Sequence, residues 1–87
     1  MGIRLREGVT YESSGDTVLI LDTEGTVLTS LNPVGSVIWK EFDGERGVAE
    51  LARDLIDQFD GVDEPALAED IDAFVASLVS AELVEID

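Results

Sequence analysis

The chain has neither cysteine nor histidine among its 87 residues. The first absence excludes disulfides and thiolate metal sites. The second removes the commonest general base and the commonest nitrogen ligand for a metal. Basic residues are scarce as well, 5 Lys and Arg against 20 Asp and Glu, for a formal charge of −15. From Asp54 onward there are eleven acids and no base. Such a field repels a phosphate backbone, because nucleic-acid affinity comes largely from Lys and Arg neutralising phosphates, so nucleic acid is not an expected partner. The same charge fits solubility, a salt-adapted host or attraction to a basic partner, and the sequence leaves these open. No apolar run reaches the length of a membrane span or of a signal-peptide core, and Arg6 stands where the myristoylation pattern wants Ser or Thr. The expected location is therefore the cytoplasm, with no membrane partner.

What the chain does have is a hydrophobic fraction of 45%, enough to offset the entropy of ordering, and the length of one small domain, taken as residues 1–87. Val9 to Ser13 alternates apolar and polar residues and ends at the turn signal Ser14-Gly15-Asp16, which predicts a strand. Val18 to Leu21 is a second short apolar run, closed by Asp22 and Gly25. Thr26 to Leu31 alternates again, with Val27, Thr29 and Leu31 on one face and Thr26, Leu28 and Ser30 on the other. Three strands joined by short turns predict an antiparallel meander.

After Leu31 the period changes. Asn32 is a good N-cap, Pro33 suits the first helical position, and Val34, Val37, Ile38 and Phe42 recur at helical spacing as far as Asp43-Gly44. Trp39, at the edge of this stripe, is expected as a core or boundary aromatic. A second helix is predicted over Val48–Phe59. A third starts after Asp63 and Pro65 and runs to about Ser80, with Leu67, Ile71, Phe74 and Leu78 as its inner stripe and Val75 and Val79 beside it. Residues 83–86 are an apolar tail that either adds a short strand or packs. The whole is an α+β layout, a three-stranded antiparallel sheet followed by three helices, for which a winged helix-turn-helix is the natural candidate.

Nothing in the chain points to catalysis. The carboxylate pairs (Asp43 with Glu45, Asp54 with Asp57, Asp70 with Asp72) have no evident pocket to raise one pKa, and no serine has an imidazole to activate it. The acids between Asp57 and Glu69 fit a calcium loop poorly, and no glycine-rich phosphate loop is present. No enzyme activity, metal or cofactor is expected. Binding remains, and the strand at 26–31 is the informative element. In a three-strand meander two strands lie at the edges, and an edge presents unpaired N–H and C=O groups. "TVLTSL" lacks the Lys or Pro that would blunt such an edge. Either the protein's own helix or tail covers it, or an extended peptide adds to it as a further strand, with main-chain bonds giving affinity and side-chain pockets giving specificity.

The residues carry a family likeness. A strand ending in Leu31-Asn32, a small residue at Gly35, Ile38 and Trp39, the Asp43-Gly44 stop, the "ELARDL" helix, and the series Asp70, Ile71, Phe74, Val75 and Leu78 leading to Leu83 and Val84 together resemble the PqqD-like proteins. These are the precursor-peptide recognition elements of ribosomally made, modified peptides. The likeness spans roughly residues 5 to 86. It departs at Gly47, where the family usually has a Ser or Thr cap, and at Ala81-Glu82, where a small residue followed by glycine is common. What the resemblance implies is a non-catalytic peptide chaperone with a winged helix-turn-helix fold, in which the leader segment adds as an antiparallel strand beside a helical wall. Carried over, Thr26, Val27, Leu28, Thr29, Ser30 and Leu31 supply the edge. Ile71, Asp72, Val75 and Val79 form the wall, with Leu78 as pocket floor. The implied partners are the precursor leader peptide and a modifying enzyme, either a lasso-type leader peptidase or a radical-SAM protein of the quinone-cofactor pathway. The alternative is a winged-helix regulator that binds nucleic acid, which the missing basic face opposes.

Overall fold

Alternating side chains build the sheet, and a computed structural model shows how they are arranged over residues 2–25 and 28–86. Strands β1 (Ile3–Leu5), β2 (Thr10–Ser14), β3 (Thr17–Leu21) and β4 (Leu28–Leu31) precede helices α1 (Pro33–Lys40), α2 (Val48–Leu55) and α3 (Glu64–Ser80), and β5 (Val84–Ile86) follows them. The expected antiparallel meander is present in the order β2-β3-β4. Ser14 pairs with Thr17 across a two-residue turn, where Gly15 takes a positive φ of 62° and Thr17 Oγ1 donates to the Ser14 carbonyl at 2.8 Å. Such a turn matches the twist of a hairpin and favours glycine. On β3 the inward residues are Val18 and Ile20, both with 0% exposure, and Val18 lies opposite Leu31 of β4.

The helices start where the capping residues place them. Asn32 Oδ1 accepts the Gly35 N–H at 2.7 Å, and Asp63 Oδ1 accepts the Ala66 N–H at 2.9 Å. Gly47 caps α2 with no side-chain bond, as its departure from the family pattern implied. α1 stops at Lys40, short of the expected Asp43-Gly44. Residues 41–46 instead form a loop over which the Asp43 side chain folds back onto the Glu45 and Arg46 amides. α2 also ends early, its last expected turn tightening to a 3₁₀ segment at Ile56–Gln58, where the Phe59 N–H reaches the Ile56 carbonyl.

A second sheet lies outside the predicted meander. β1 pairs antiparallel with β5, setting Ile3 against Ile86, Arg4 against Glu85 and Leu5 against Val84. Arg4 donates through Nε and Nη2 to one Glu85 carboxylate oxygen, at 3.3 and 3.1 Å. The approach to β5 is a helix-ending motif: the Leu83 N–H bonds the Leu78 carbonyl and the Glu82 N–H bonds the Val79 carbonyl. Glu82 takes the left-handed conformation there, with φ 60°, where glycine is usual. The core gathers Val18, Ile20, Ile38, Trp39, Leu51, Leu55, Leu67, Ile71 and Val75 from the sheet and all three helices, closed by Ile3 and Val84 from the second sheet and by Leu83 just before it.

Candidate peptide-binding cleft

β4 has a strand partner on one side only, β3, and none on the other among the described residues. The C-terminal tail, one of the covers that the sequence allowed for, is held by β1 instead. Along β4, Leu28 is 61% exposed, Thr29 is half-buried, Ser30 is exposed and Leu31 turns into the core. Thr26 and Val27, the other two expected edge residues, lie outside the described residues.

At its C-terminal end the edge runs into a cleft of about 340 Å³. Ser30 and Leu31 of β4 form one side, and Asn32, Val34, Gly35 and Ile38 at the start of α1 form the base. Asp70 and Phe74 of α3 form the far wall. The alternation of β4 delivers Leu31 inward, and the Asn32 cap turns the chain directly into α1, so strand edge and helix start are fixed to one another. Gly35 sits tightly between the cap and α3: a Cβ there would stand 3.2 Å from Asn32 Oδ1 and 3.4 Å from Phe74 Cε1 and Cζ.

Phe74 is held in place by a chain of rings. Tyr11 of β2 meets Trp39 edge-on at 5.7 Å, Trp39 meets Phe42 edge-on at 5.9 Å, and Phe42 stacks on Phe74 at 6.4 Å. Trp39, 1% exposed, is a core aromatic, and its indole N–H has no partner among the described residues. The aromatic pairs link β2, α1 and α3, so the far wall of the cleft is coupled to the sheet.

The residues expected as the wall of a peptide groove do not line this cleft. Ile71, Val75 and Leu78 are 0%, 2% and 4% exposed and pack in the core, where they present no surface to the cleft. Asp72 and Val79 are exposed but, at about 100° per helical residue, lie roughly half a turn round α3 from Asp70 and Phe74. Phe74, expected in the inner stripe, is half-buried at the flank, while Val75 takes the core position. Asp70 and Phe74 line the cleft although neither was assigned to the site from the sequence. On the outer face of the sheet a second hollow of about 300 Å³ is lined by Thr10, Tyr11, Glu12, Leu19, Leu21 and Leu28, so Leu28 joins the strand edge to that face.

Behind the cleft, the 41–46 loop is fastened by Arg46. Its Nε donates to Asp43 at 2.9 Å, its Nη1 to Asp54 at 3.2 Å, and its Nη2 to the Glu41 carbonyl at 2.7 Å. The Asp43 carboxyl is lowered to about 2, by the Arg46 backbone N–H first, then that of Glu45, then the Arg46 guanidinium. Burial acts against the Arg46 charge, but its three acidic partners outweigh burial and raise its pKa. No group of His, Cys, Asp and Glu able to hold a metal occurs among the described residues, and no helix there is long and apolar enough to cross a membrane.

A family model for coenzyme PQQ synthesis protein D (PqqD) matches residues 17–84, which include β3 and β4 of the meander, the helices and the cleft. The chain belongs to the PqqD family. Two solved structures share the PqqD fold seen here. TbiB1 in complex with the TbiA(beta) leader peptide is 24% identical, with 94% of each chain covered and a TM-score of 0.84. A lasso peptide synthetase B1 complexed with the leader peptide is 21% identical, covering 98% of this chain and 99% of that one, also with a TM-score of 0.84. No curated protein matches the chain.

Proposed function

We propose that this PqqD-family chain binds the leader segment of a ribosomally made precursor peptide, without catalysis, and presents it to the enzyme that modifies or cleaves the peptide. The observation that carries this reading is the open edge of β4 running into a cleft walled by α3. A peptide laid antiparallel along Leu28 to Leu31 satisfies the free main-chain groups of the edge, and alternate side chains then enter the cleft or point to the outer face of the sheet. The family match and the shared fold with two chains complexed with leader peptides support the same reading. The partner enzyme is of the leader-peptidase or radical-SAM kind, with lasso-type processing the favoured setting. A nucleic-acid regulator with this topology would need a basic face, and the chain carries −15.

Titration of isotope-labelled protein with leader peptides from precursor genes beside its own, followed through the backbone amides, tests the proposal. Shifts should concentrate at Leu28 to Leu31 and at Asp70 and Phe74. N-methylation of the peptide at alternate positions should abolish binding while leaving the protein untouched, because each methyl removes one donor to the β4 edge. Binding indifferent to N-methylation at every position rules out strand addition.

A further inference from the structure

Asp70 stands out among the residues lining the cleft. It is exposed, and among the described residues it makes no hydrogen bond or ion pair. The four arginines are engaged elsewhere: Arg4 with Glu85, Arg6 with Glu82, Arg46 with Asp43 and Asp54, and Arg53 with Asp54. The one side-chain amide in the lining is held in place by its cap on α1, Asn32 Oδ1 accepting the Gly35 N–H. The rest of the lining is largely apolar, from Leu31, Val34, Ile38 and the Phe74 ring. Asp70 and Phe74 are four residues apart on α3, so the carboxylate and the ring are neighbours on one helix flank.

A purely apolar occupant would fill the cleft but would strip water from an ionised carboxylate with nothing to replace it. An acidic occupant would meet like charge. A long basic side chain answers both parts of the site: its methylene stem lies on Leu31, Val34 and Phe74 while its cationic head reaches Asp70, with the ring face contributing a further attraction. From these features we infer that Asp70 is a specificity-determining residue, and that the cleft selects a Lys or Arg side chain of the peptide strand bound at β4. The inference rests on the proposed strand addition and names the chemistry of one position in the bound segment.

A displayed library of randomised peptides, selected against the intact wild-type chain and against Asp70→Asn and Asp70→Lys, supplies the test. Asp70 is exposed and unpaired, so both variants should keep the wild-type melting temperature. Wild-type binders should share a Lys or Arg at one register position. Replacing that residue by norleucine, which keeps the stem and removes the charge, should weaken binding about tenfold. Asp70→Asn should cost the same, and the two changes together should cost no more than either alone. Asp70→Lys should select Asp or Glu at that position instead. Binders that shift the β4 amides but show no basic preference, or two losses that simply add, overturn the inference and leave strand addition standing. Binders that leave the amides of Leu28 to Leu31 unmoved overturn strand addition, and this inference with it.

Discussion

The two sides of α1 are treated in opposite ways. Toward the 41–46 loop the polar groups are answered from within the chain: the Arg46 guanidinium bonds Asp43, Asp54 and Glu41, and the Asp43 carboxylate also receives two backbone N–H groups. Toward β4 an edge strand lacks a second strand partner and the Asp70 carboxylate has no counter-charge among the described residues. Both sides use the same materials, acids and short turns, so composition does not distinguish them. What distinguishes them is satisfaction. A polar group bonded inside the chain contributes to holding the fold, whereas one left open is available to a partner.

The largest expected effect falls on the closed side. A Cβ at Gly2 would stand 1.9 Å from the Gly44 carbonyl oxygen, so Gly2→Ala forces main chain apart where the Gly44 N–H bonds the Ile3 carbonyl. It should cost about 3 kcal/mol by thermal or denaturant unfolding, at the upper end of overpacking effects. Below its melting temperature the variant should still bind peptide at β4; loss of both would show that the two sides are not separable.

Arg46→Met comes next, at about 1–2 kcal/mol, because it strands three acidic partners that are themselves partly exposed. A pH series sharpens the assignment. The folded-state pKa of Asp43 lies below its ordinary 3.8, at about 2. Its contribution is therefore complete above the ordinary value and is lost as pH falls toward the lowered one. Acid unfolding of the wild type should show that loss, and Arg46→Met should show less of it.

Gly35→Ala tests the boundary between the sides. Alanine favours a helix over glycine by about 1 kcal/mol, but the new methyl presses on Asn32 and Phe74. Stability should therefore change by no more than about 1 kcal/mol, while peptide affinity falls as the Phe74 ring is displaced toward the cleft. Unchanged affinity would remove Phe74 from the wall. The smallest effect is a gain: Glu82→Gly relieves a left-handed residue at the end of α3, at the expense of the ion pair with Arg6, 3.7 Å long and exposed. It should stabilise by about 0.5–1 kcal/mol, a rise of a few degrees in Tm, with binding unaffected.

Much of this architecture was legible before any coordinates. Asn32 and Asp63 announce helix starts because a short side chain that accepts from N3 serves few other purposes before an apolar stripe. The meander follows from period-two alternation ended by Gly15 and Gly25. β1 escaped because three residues are too few to show a period, and its partner lies near the other end of the chain. The lining of the cleft was not legible for a different reason. α3 has apolar residues nearly all round, Val75 and Val79 as well as Phe74, so periodicity alone does not decide which of two neighbouring flanks packs inward. That choice is made by α2 on one side and by Phe42 on the other. Asp70 stood in the family series but among many acids, and its place in the cleft lining gives it a candidate role.

The clasp between β1 and β5 also sets an order of events during synthesis. Ile3 is made before the meander and the helices, yet in the finished fold it is 1% exposed and lies opposite Ile86 of β5, which follows them all. The meander and the helices can assemble while β1 still has no strand to pair with. Until residues 84–86 arrive, the nascent chain carries an uncovered apolar strand, the kind of surface that chaperones hold and that promotes aggregation. A chain cut short of β5 keeps that surface, so loss of residues 84–86 is felt at β1, far from the missing strand in sequence.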